Sequence, residues 1–310
     1  MKKILFKSDK NMYKANLHCH TTFSDGDFTP EKIKEIYKNK GYSIVAFTDH
    51  SILVPQSQLN DETFLAINSC EVDILENAPG KPWPNRKTFH FNLYATNPGI
   101  TQTPVLPDMD YNDIAAINKY IRDRSGEGFL VCYNHPYWSL QDYSDFGKLE
   151  GLFAMEIYNH GCESEGYYGY HPQAYDEMLR TGNALYCVSA DDNHNRYPVD
   201  GDRGDSFGGF VMINSGSLSY QDIISSLKSG DFYSSQGPEI YEVSLEDNKL
   251  YVHCSEASAI VVFTDSRKCY FKRGDRMTEG EIELDGKDKY IRVMVRDNEK
   301  MDANTNAFWL

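Results

Sequence analysis

The sequence predicts an α/β fold with parallel strands, followed by a small antiparallel β unit. Over about the first 235 residues, short apolar runs alternate with helix-like segments. Several of these runs end in His, Asp or Glu. From about Tyr241 onward, apolar and polar residues alternate between turn signals. Alternating strands and helices are typical of a parallel sheet, whereas period-two segments joined by tight turns indicate antiparallel strands.

The first strand–helix–strand unit has clear boundary signals. ANLHCH is a strand candidate, and the helix candidate TPEKIKEIYKNKG follows it. Thr29 can cap this helix, Pro30 suits its first turn, and Gly41 can close its C terminus. YSIVAFTDH then has the length of a buried strand. Both strands of this unit run into histidines.

The same alternation continues along the chain. Further strands are predicted in TFLAINSCE, KTFHFNLYA, FLVCYNHP, LFAMEIYNH, ALYCVSADDNH and GGFVMI. Further helices are predicted in YNDIAAINKYIRDRSGEG, AYDEMLRTG and YQDIISSLKSG. We place a domain boundary after residue 237, so that residues 1–237 form the catalytic unit. Residues 238–310 then form a small sandwich-like β domain, with strands such as KLYVHC and KYIRVMVRD.

Composition narrows the class of protein. The 310 residues are 40% hydrophobic, which is ordinary for a globular chain. Their formal net charge of −15 opposes binding of long nucleic acid. No run approaches the roughly 18 apolar residues of a membrane span. The apolar triplet near the N terminus is too short for a secretory signal, so we expect a cytoplasmic protein without membrane association. Seven cysteines without a CxxC pair indicate reduced thiols.

Metal-ligand side chains recur at the ends of the apolar runs. The chain has nine histidines, and His18 and His20 are separated by one residue. In a strand, such a pair points to the same side and can reach one metal ion. Cys19 between them is either a third ligand or, as we favour, a side chain of the opposite face. Five or more ends with His, Asp or Glu predict a metal centre, for which imidazole and carboxylate suit zinc, manganese or iron.

The order of these motifs resembles that of the polymerase and histidinol phosphatase (PHP) family of metal-dependent phosphoesterases. The resemblance covers roughly residues 13–237. It rests on HCHTTFSDG, GYSIVAFTDH, Glu71 in SCEVD, His90, NHP at His135 and DDNH at His194. It implies a distorted (β/α)7 TIM-like barrel with two or three divalent metal ions at its C-terminal face. It also implies a metal-dependent phosphoric ester hydrolase acting through metal-activated water.

The resemblance implies three metal sites. The first takes His18, His20, Glu71 and Asp192, and the second takes Asp25, His50 and His194. The third takes His90 and His135 together with Glu71, which bridges. Asp192 is preferred to Asp191 because it lies two residues before His194. The side chains expected to act in catalysis are Asp25, His50, Glu71, Asp192 and His194.

A phosphate monoester usually also needs a cationic side chain. Arg203 is the first candidate for substrate binding and Arg196 the second, although each also fits a solvated loop arginine. His160 could contact the substrate or donate a proton to the leaving oxygen, or it could be a surface-loop histidine. The expected substrate is a small phosphorylated metabolite or nucleotide.

Three other functions remain open at this point. The protein could be a phosphodiesterase or exonuclease acting on short oligonucleotides. It could be an amidohydrolase-like metal hydrolase, although Asp25, the TDH motif and Glu71 point away from that class. It could also be a non-enzymatic protein whose β unit carries the function, but its ligand positions are intact. The sequence does not indicate the oligomeric state.

Overall fold

The computed structural model describes residues 2–310, which form an α/β protein dominated by one mixed sheet. The described helices are α1 (Pro30–Asn39), α2 (Ile114–Gly126), α3 (Tyr143–Phe146), α4 (His160–Ser164), α5 (Pro172–Arg180) and α6 (Tyr220–Ser229). The described strands are β1 (Lys2–Lys7), β2 (Asn11–Asn16), β3 (Ile44–Phe47), β4 (Leu65–Leu75), β5 (Thr88–Ala95), β6 (Phe129–Tyr133), β7 (Ala154–Asn159), β8 (Tyr186–Ala190), β9 (Phe210–Ser215), β10 (Phe232–Ser235), β11 (Ile240–Glu246), β12 (Lys249–Thr264), β13 (Cys269–Glu283), β14 (Tyr290–Arg296), β15 (Asp302–Thr305) and β16 (Phe308–Trp309).

Seven consecutive strands, β2 to β8, are hydrogen-bonded in sequence order. β2, β3 and β4 are parallel to one another, and so are β6, β7 and β8. A parallel bridge between Cys19 and Asn193 joins the chain just after β2 to the chain just after β8. The carboxyl ends of strands that are distant in sequence therefore meet.

The expectation of parallel strands throughout this region is wrong at β5. This strand is antiparallel to both of its neighbours, β4 and β6. A parallel connection usually needs a crossover helix. The segment between β4 and β5 (residues 76–87) carries several prolines and forms only a short 3₁₀ turn, Trp83–Asn85. The chain consequently returns beside β4, and the sheet departs from a regular (β/α)7 alternation.

Helix α1 has the boundaries that its sequence predicts. The Thr29 side chain accepts a hydrogen bond from the Lys32 backbone N–H, which satisfies one of the free donors of the first turn. Ile33 and Tyr37 are fully buried, so one face of the helix packs on the sheet. Gly41 follows with a φ of +79°, a conformation that glycine adopts without strain.

The C-terminal strands are antiparallel, as the sequence predicts. β12 pairs with β11, β13 and β14, and they share an apolar core that includes Val252, Ile260 and Val293. β1 pairs with β11, although it precedes strands β2 to β8 in sequence. β15 pairs with both β10 and β14. Strand pairs thus cross residue 237, and the division into two domains there stays a prediction.

A buried ion pair joins helix α5 to strand β14. The Arg292 guanidinium is fully buried, and its Nε and one Nη lie 2.6 and 2.8 Å from the Asp176 carboxylate oxygens. A second Nη donates to Asn304 at 3.1 Å, and the guanidinium lies 4.0 Å from the centroid of the Phe263 ring. This ion pair holds helix α5 against the C-terminal strand β14.

We expect Asp176→Ala to lower the free energy of unfolding by about 3–5 kcal/mol, because it leaves the Arg292 charge buried without its partner. Chemical denaturation measures the change. The double replacement Asp176→Leu/Arg292→Met should recover most of the loss, since no charge then stays buried. Asp123→Ala, which removes an exposed helix ion pair with Lys119, is the matched control and should change stability little. An Asp176→Ala protein as stable as that control would contradict this account.

Two further sequence expectations concern membranes and cysteines. None of the helices within residues 2–310 is long and apolar enough to cross a membrane. The predicted cytoplasmic location stays a prediction. The seven cysteines are free thiols in the described structure, and Cys269 is the exposed one. Cys19 packs in a core cluster with Ile33 and Tyr37, which confirms that it faces away from the histidine pair.

Candidate metal centre

The predicted ligands come together at one edge of strands β2 to β8. His18 and His20 follow β2, His50 follows β3, His135 follows β6, and Asp192 and His194 follow β8. Two ligands depart from the strand-end pattern. Glu71 lies inside β4, because that strand continues to Leu75 alongside β5. His90 lies near the start of β5, which reaches the same edge because it runs in the opposite direction.

Glu71 is the centre of the cluster. It is 1% exposed, and its Oε1 lies 3.0 Å from His90 Nδ1 and 3.4 Å from both His18 Nε2 and His135 Nε2. Its Oε2 lies 3.0 Å from His50 Nδ1 and 3.5 Å from His20 Nε2. Both carboxylate oxygens therefore face imidazole nitrogens, as the predicted bridging position requires.

Asp192 faces the histidine pair that opens the sequence motif. Its Oδ1 lies 3.1 Å from His18 Nε2 and 3.0 Å from His20 Nε2. Asp191 points elsewhere and accepts the backbone N–H groups of Phe207, Gly208 and Gly209. The choice of Asp192 over Asp191 as the ligand candidate thus agrees with the geometry.

Asp192 does not share a strand with His194, contrary to the expectation from their spacing. β8 ends at Ala190, and Asp192 has a φ of +53°, in the left-handed region rather than in a strand. Aspartate tolerates this conformation better than most residues. A turn therefore aims Asp192 at the histidines, and strand alternation with His194 plays no part.

Asp25 forms a second group with three histidines. Its Oδ1 lies 3.3 Å from His194 Nε2, 3.7 Å from His50 Nε2 and 3.8 Å from His20 Nδ1. The turn that carries Asp25 is held by Asp49, whose carboxylate accepts the backbone N–H of Thr21 and the hydroxyl of Ser24. His20 thus lies between the two groups, with one ring nitrogen toward each.

The donor set fits divalent metal ions. Four overlapping groups bring one ligand atom from each member within 4.8 Å of the others. The groups are His20, Asp25, His50 and His194; His18, His20 and Asp192; His18, Glu71 and His135; and His50, Glu71 and His90. His20 Nδ1 is buried without a hydrogen-bond partner among residues 2–310, as a ligand nitrogen would be. The first group contains the predicted second site together with His20, and the second group contains the predicted first site without Glu71. His90 and His135 meet Glu71 in separate groups, so the division into three sites stays a prediction.

Charges alternate within the cluster. Burial opposes ionisation of Glu71, but the surrounding His90 and His18 hold its pKa well below its usual range. Burial likewise disfavours the imidazolium of His50, but hydrogen bonding to Glu71 raises its pKa to about 9. Burial and the neighbouring His194 lower the pKa of His20 to about 3. Glu71 is thus ionised beside a protonated His50, and a metal ion bound by His50 would displace that proton, because a ligating imidazole is neutral.

Three polar residues that support the ligands were not identified from the sequence. Glu156 lies 2.6 Å from His18 Nδ1, Asn134 donates to Glu71 Oε1 at 2.8 Å, and Asn159 donates to Asp192 Oδ2 at 3.0 Å. A signal for Glu156 was present, because it is an isolated carboxylate within the apolar run LFAMEIY. A buried charge in such a strand needs a partner.

The cluster opens into a cavity of about 330 Å³. Arg196 and Arg203 line the cavity together with Trp83, Trp138 and Tyr197. The cavity lining within residues 2–310 does not include His160, whose Nδ1 lies 2.9 Å from the Tyr158 hydroxyl. His160 thus lies next to the lining residue Gly161, and its predicted contact with the substrate stays a prediction.

The two arginines have different surroundings. Arg196 lies 2.6 Å from Asp25 Oδ2, so its charge is paired with a candidate ligand. The Arg203 guanidinium lies 3.9 Å from the centroid of the Tyr197 ring. Stacking on an aromatic face orients a guanidinium while leaving its N–H groups available. The prediction of Arg203 as the first candidate for substrate contact is consistent with this arrangement.

The fold is similar to those of known proteins, while no family model and no curated protein matches the chain. One similar structure is a two-domain protein from Bacteroides vulgatus that contains a predicted PHP-like metal-dependent phosphoesterase. The match covers 99% of this chain and 97% of that chain, at 15% identity and a TM-score of 0.52. A candidate metal-dependent phosphoesterase from Bifidobacterium adolescentis matches over 60% of this chain and 90% of its own, at 14% identity and a TM-score of 0.40. An amidohydrolase from Chromobacterium violaceum matches over 58% and 87%, at 13% identity and a TM-score of 0.38. The first match confirms the resemblance to PHP-like proteins at the level of the fold.

Proposed function

We propose that the protein is a metal-dependent phosphoesterase that hydrolyses a phosphate ester of a small metabolite or nucleotide. One observation carries the proposal: imidazole and carboxylate groups from β2 to β8 converge on Glu71 beside a cavity that also contains two arginines. We also propose that strands β2 to β8 form a distorted seven-stranded barrel.

The residues fit two or three divalent ions, whether zinc, manganese or iron. We assign His18, His20, Glu71 and Asp192 to the first site and Asp25, His50 and His194 to the second. We assign His90 and His135, with Glu71, to the third. When bound, the ions would lower the pKa of a water molecule and neutralise phosphoryl oxygens. The chain itself contributes the bridging position of Glu71, whose two oxygens face different histidines.

We assign different roles to Arg196 and Arg203. Arg196 pairs with Asp25 and thereby holds its second oxygen away from the histidines. Arg203 is exposed, and no carboxylate partner is found for it among the described residues, so we assign it to the anionic group of the substrate. A cavity of about 330 Å³ suits a small phosphorylated molecule. The net charge of −15 agrees with this choice and opposes long nucleic acid.

Hydrolysis assays on the metal-loaded protein test the proposal. The substrates are p-nitrophenyl phosphate, nucleoside monophosphates, a p-nitrophenyl phosphodiester, short oligonucleotides and an anilide. His20→Ala should remove hydrolysis, whereas His253→Ala, on the C-terminal strand β12, should retain it. Turnover of the anilide in preference to every phosphate ester would favour the amidohydrolase alternative. Preference for the diester or oligonucleotides would favour the phosphodiesterase.

We expect Arg203→Ala to lower kcat/KM for a phosphate ester about 10- to 100-fold, mainly through KM, because a charge-assisted hydrogen bond contributes about 1.5–3 kcal/mol. Steady-state kinetics measure the change. Arg203→Lys should recover only part of it, since lysine cannot stack or bind in a bidentate manner. Arg180→Ala, at the exposed end of α5, is the matched control. An unchanged KM in Arg203→Ala would remove Arg203 from substrate binding.

A further inference from the structure

Glu156 lies in the middle of β7 and is 0% exposed. Its neighbours in the strand are apolar, apart from Asn159 at the end. A carboxylate costs several kcal/mol to bury unless it is paired and hydrogen-bonded. Its partners therefore indicate why the fold keeps a charge at this position.

The first carboxylate oxygen of Glu156 faces a candidate metal ligand. Oε1 lies 2.6 Å from His18 Nδ1, so a proton on Nδ1 is shared with the carboxylate. The other ring nitrogen, Nε2, points to Asp192 at 3.1 Å and to Glu71 at 3.4 Å. A hydrogen bond at Nδ1 fixes the tautomer in which Nε2 is the free ligand atom.

The second oxygen reaches two other parts of the cluster. Oε2 accepts the His135 backbone N–H and the Asn159 side-chain amide, each at 3.0 Å. The same Asn159 amide nitrogen donates to Asp192 Oδ2 at 3.0 Å. His135 has a φ of +22°, a strained conformation that surrounding contacts must hold. Glu156 thus connects ligand candidates that follow β2, β6 and β8.

We infer that Glu156 is a positioning residue that sets the tautomer of His18 and the placement of His135 and Asp192 for divalent metal binding. This inference rests on the metal centre of the proposed function. Glu156 itself faces the ligands from behind and does not line the cavity within residues 2–310.

Glu156→Gln separates positioning from simple packing because it preserves shape. An amide presents one oxygen and one NH₂ group, and Glu156 faces donors on both sides. If the NH₂ group faces His18, Nδ1 must accept and the proton moves to Nε2, where it blocks coordination. If it faces His135 and Asn159 instead, the His135 backbone N–H and the Asn159 amide lose their shared acceptor and meet another donor. Either orientation disturbs at least one ligand.

The experiment measures zinc affinity by chelator competition and metal content per folded chain. We expect Glu156→Gln to bind zinc about 10- to 100-fold more weakly, as is usual when the partner of a metal-ligating histidine is lost. Asp145→Asn is the matched control, because Asp145 is a buried carboxylate that contacts Lys87 and Tyr111 instead. The control should bind zinc as the unaltered protein does. A folded Glu156→Gln protein with unaltered zinc affinity would overturn the inference.

Nitrogen NMR of the zinc-loaded, unaltered protein gives a second test that does not depend on the folding of a variant. We expect His18 to carry its proton on Nδ1, and a proton on Nε2 would overturn the inference. These measurements separate metal binding by the protein from the role of Glu156 in it. If the unaltered protein binds no zinc, manganese or iron, the proposed function fails. If it binds metal but Glu156 does not matter, only the role of Glu156 fails.

Discussion

Asp192→Asn is expected to lower metal-dependent phosphoester hydrolysis by at least about a hundredfold, since loss of a ligand should exceed the 10- to 100-fold cost of losing an outer partner. Asp192 Oδ1 lies 3.0–3.1 Å from the Nε2 atoms of His18 and His20, so it completes the ligand group of His18, His20 and Asp192. The amide keeps the shape of the side chain but removes the anionic ligand. The effect should appear in kcat with p-nitrophenyl phosphate and in the number of bound metals.

Asparagine is the preferred replacement because of the backbone. Asp192 has a φ of +53°, which asparagine tolerates and alanine does not. Asp192→Ala should remove activity as well, but with an additional loss of stability of about 1–2 kcal/mol. Asp200→Asn, at an exposed loop position beyond the cavity lining, controls for loss of a nearby negative charge. Full activity in Asp192→Asn would remove Asp192 from the metal centre.

Glu71→Gln is expected to lower metal occupancy at more than one site. Its two carboxylate oxygens lie 3.0–3.5 Å from nitrogens of five histidines, and it belongs to two of the ligand groups. Loss of the charge should therefore lower the occupancy of more than one metal, whereas loss of a single-site ligand should affect one. Metal analysis of the purified variant measures this difference, and hydrolysis should fall to background.

His194→Gln provides the comparison for Glu71→Gln. His194 belongs only to the group with Asp25, His50 and His20. It should therefore lose the metal of that group and retain the others. If both variants lose the same single metal, Glu71 does not bridge, and the assignment of shared sites is wrong.

The sequence was sufficient to predict that most of the candidate ligands lie together, because the fold brings the ends of several strands to one edge. His18, His50 and His135 each follow a parallel strand, so their side chains converge as strand-end reasoning expects. His90 converges for a different reason, since β5 runs antiparallel and brings its start to that edge. The residue was predicted through the family resemblance, whereas the topology around it was not.

The support of the ligands was harder to predict. Glu156, Asn134 and Asn159 act through contacts between residues far apart in sequence. The sequence marks Glu156 as an isolated carboxylate in an apolar run, but it does not indicate which residues the three contact. The strand pairs that cross residue 237 were also not predicted, because they join residues far apart in sequence. β1 pairs with β11 through a register that depends on tertiary packing. The placement of His160 beside Tyr158 likewise depends on how the loop near Gly208 folds over it.

The most direct test of the central claim couples metal content to hydrolysis in one titration. The protein is stripped with a chelator and reloaded with zinc, manganese or iron(II), while bound metal per chain and p-nitrophenyl phosphate turnover are recorded together. The account predicts two or three tightly bound ions per chain, with turnover that rises as they bind and is lost again on chelation. Fewer than one bound ion per chain, or turnover that is the same in stripped and loaded protein, would contradict it.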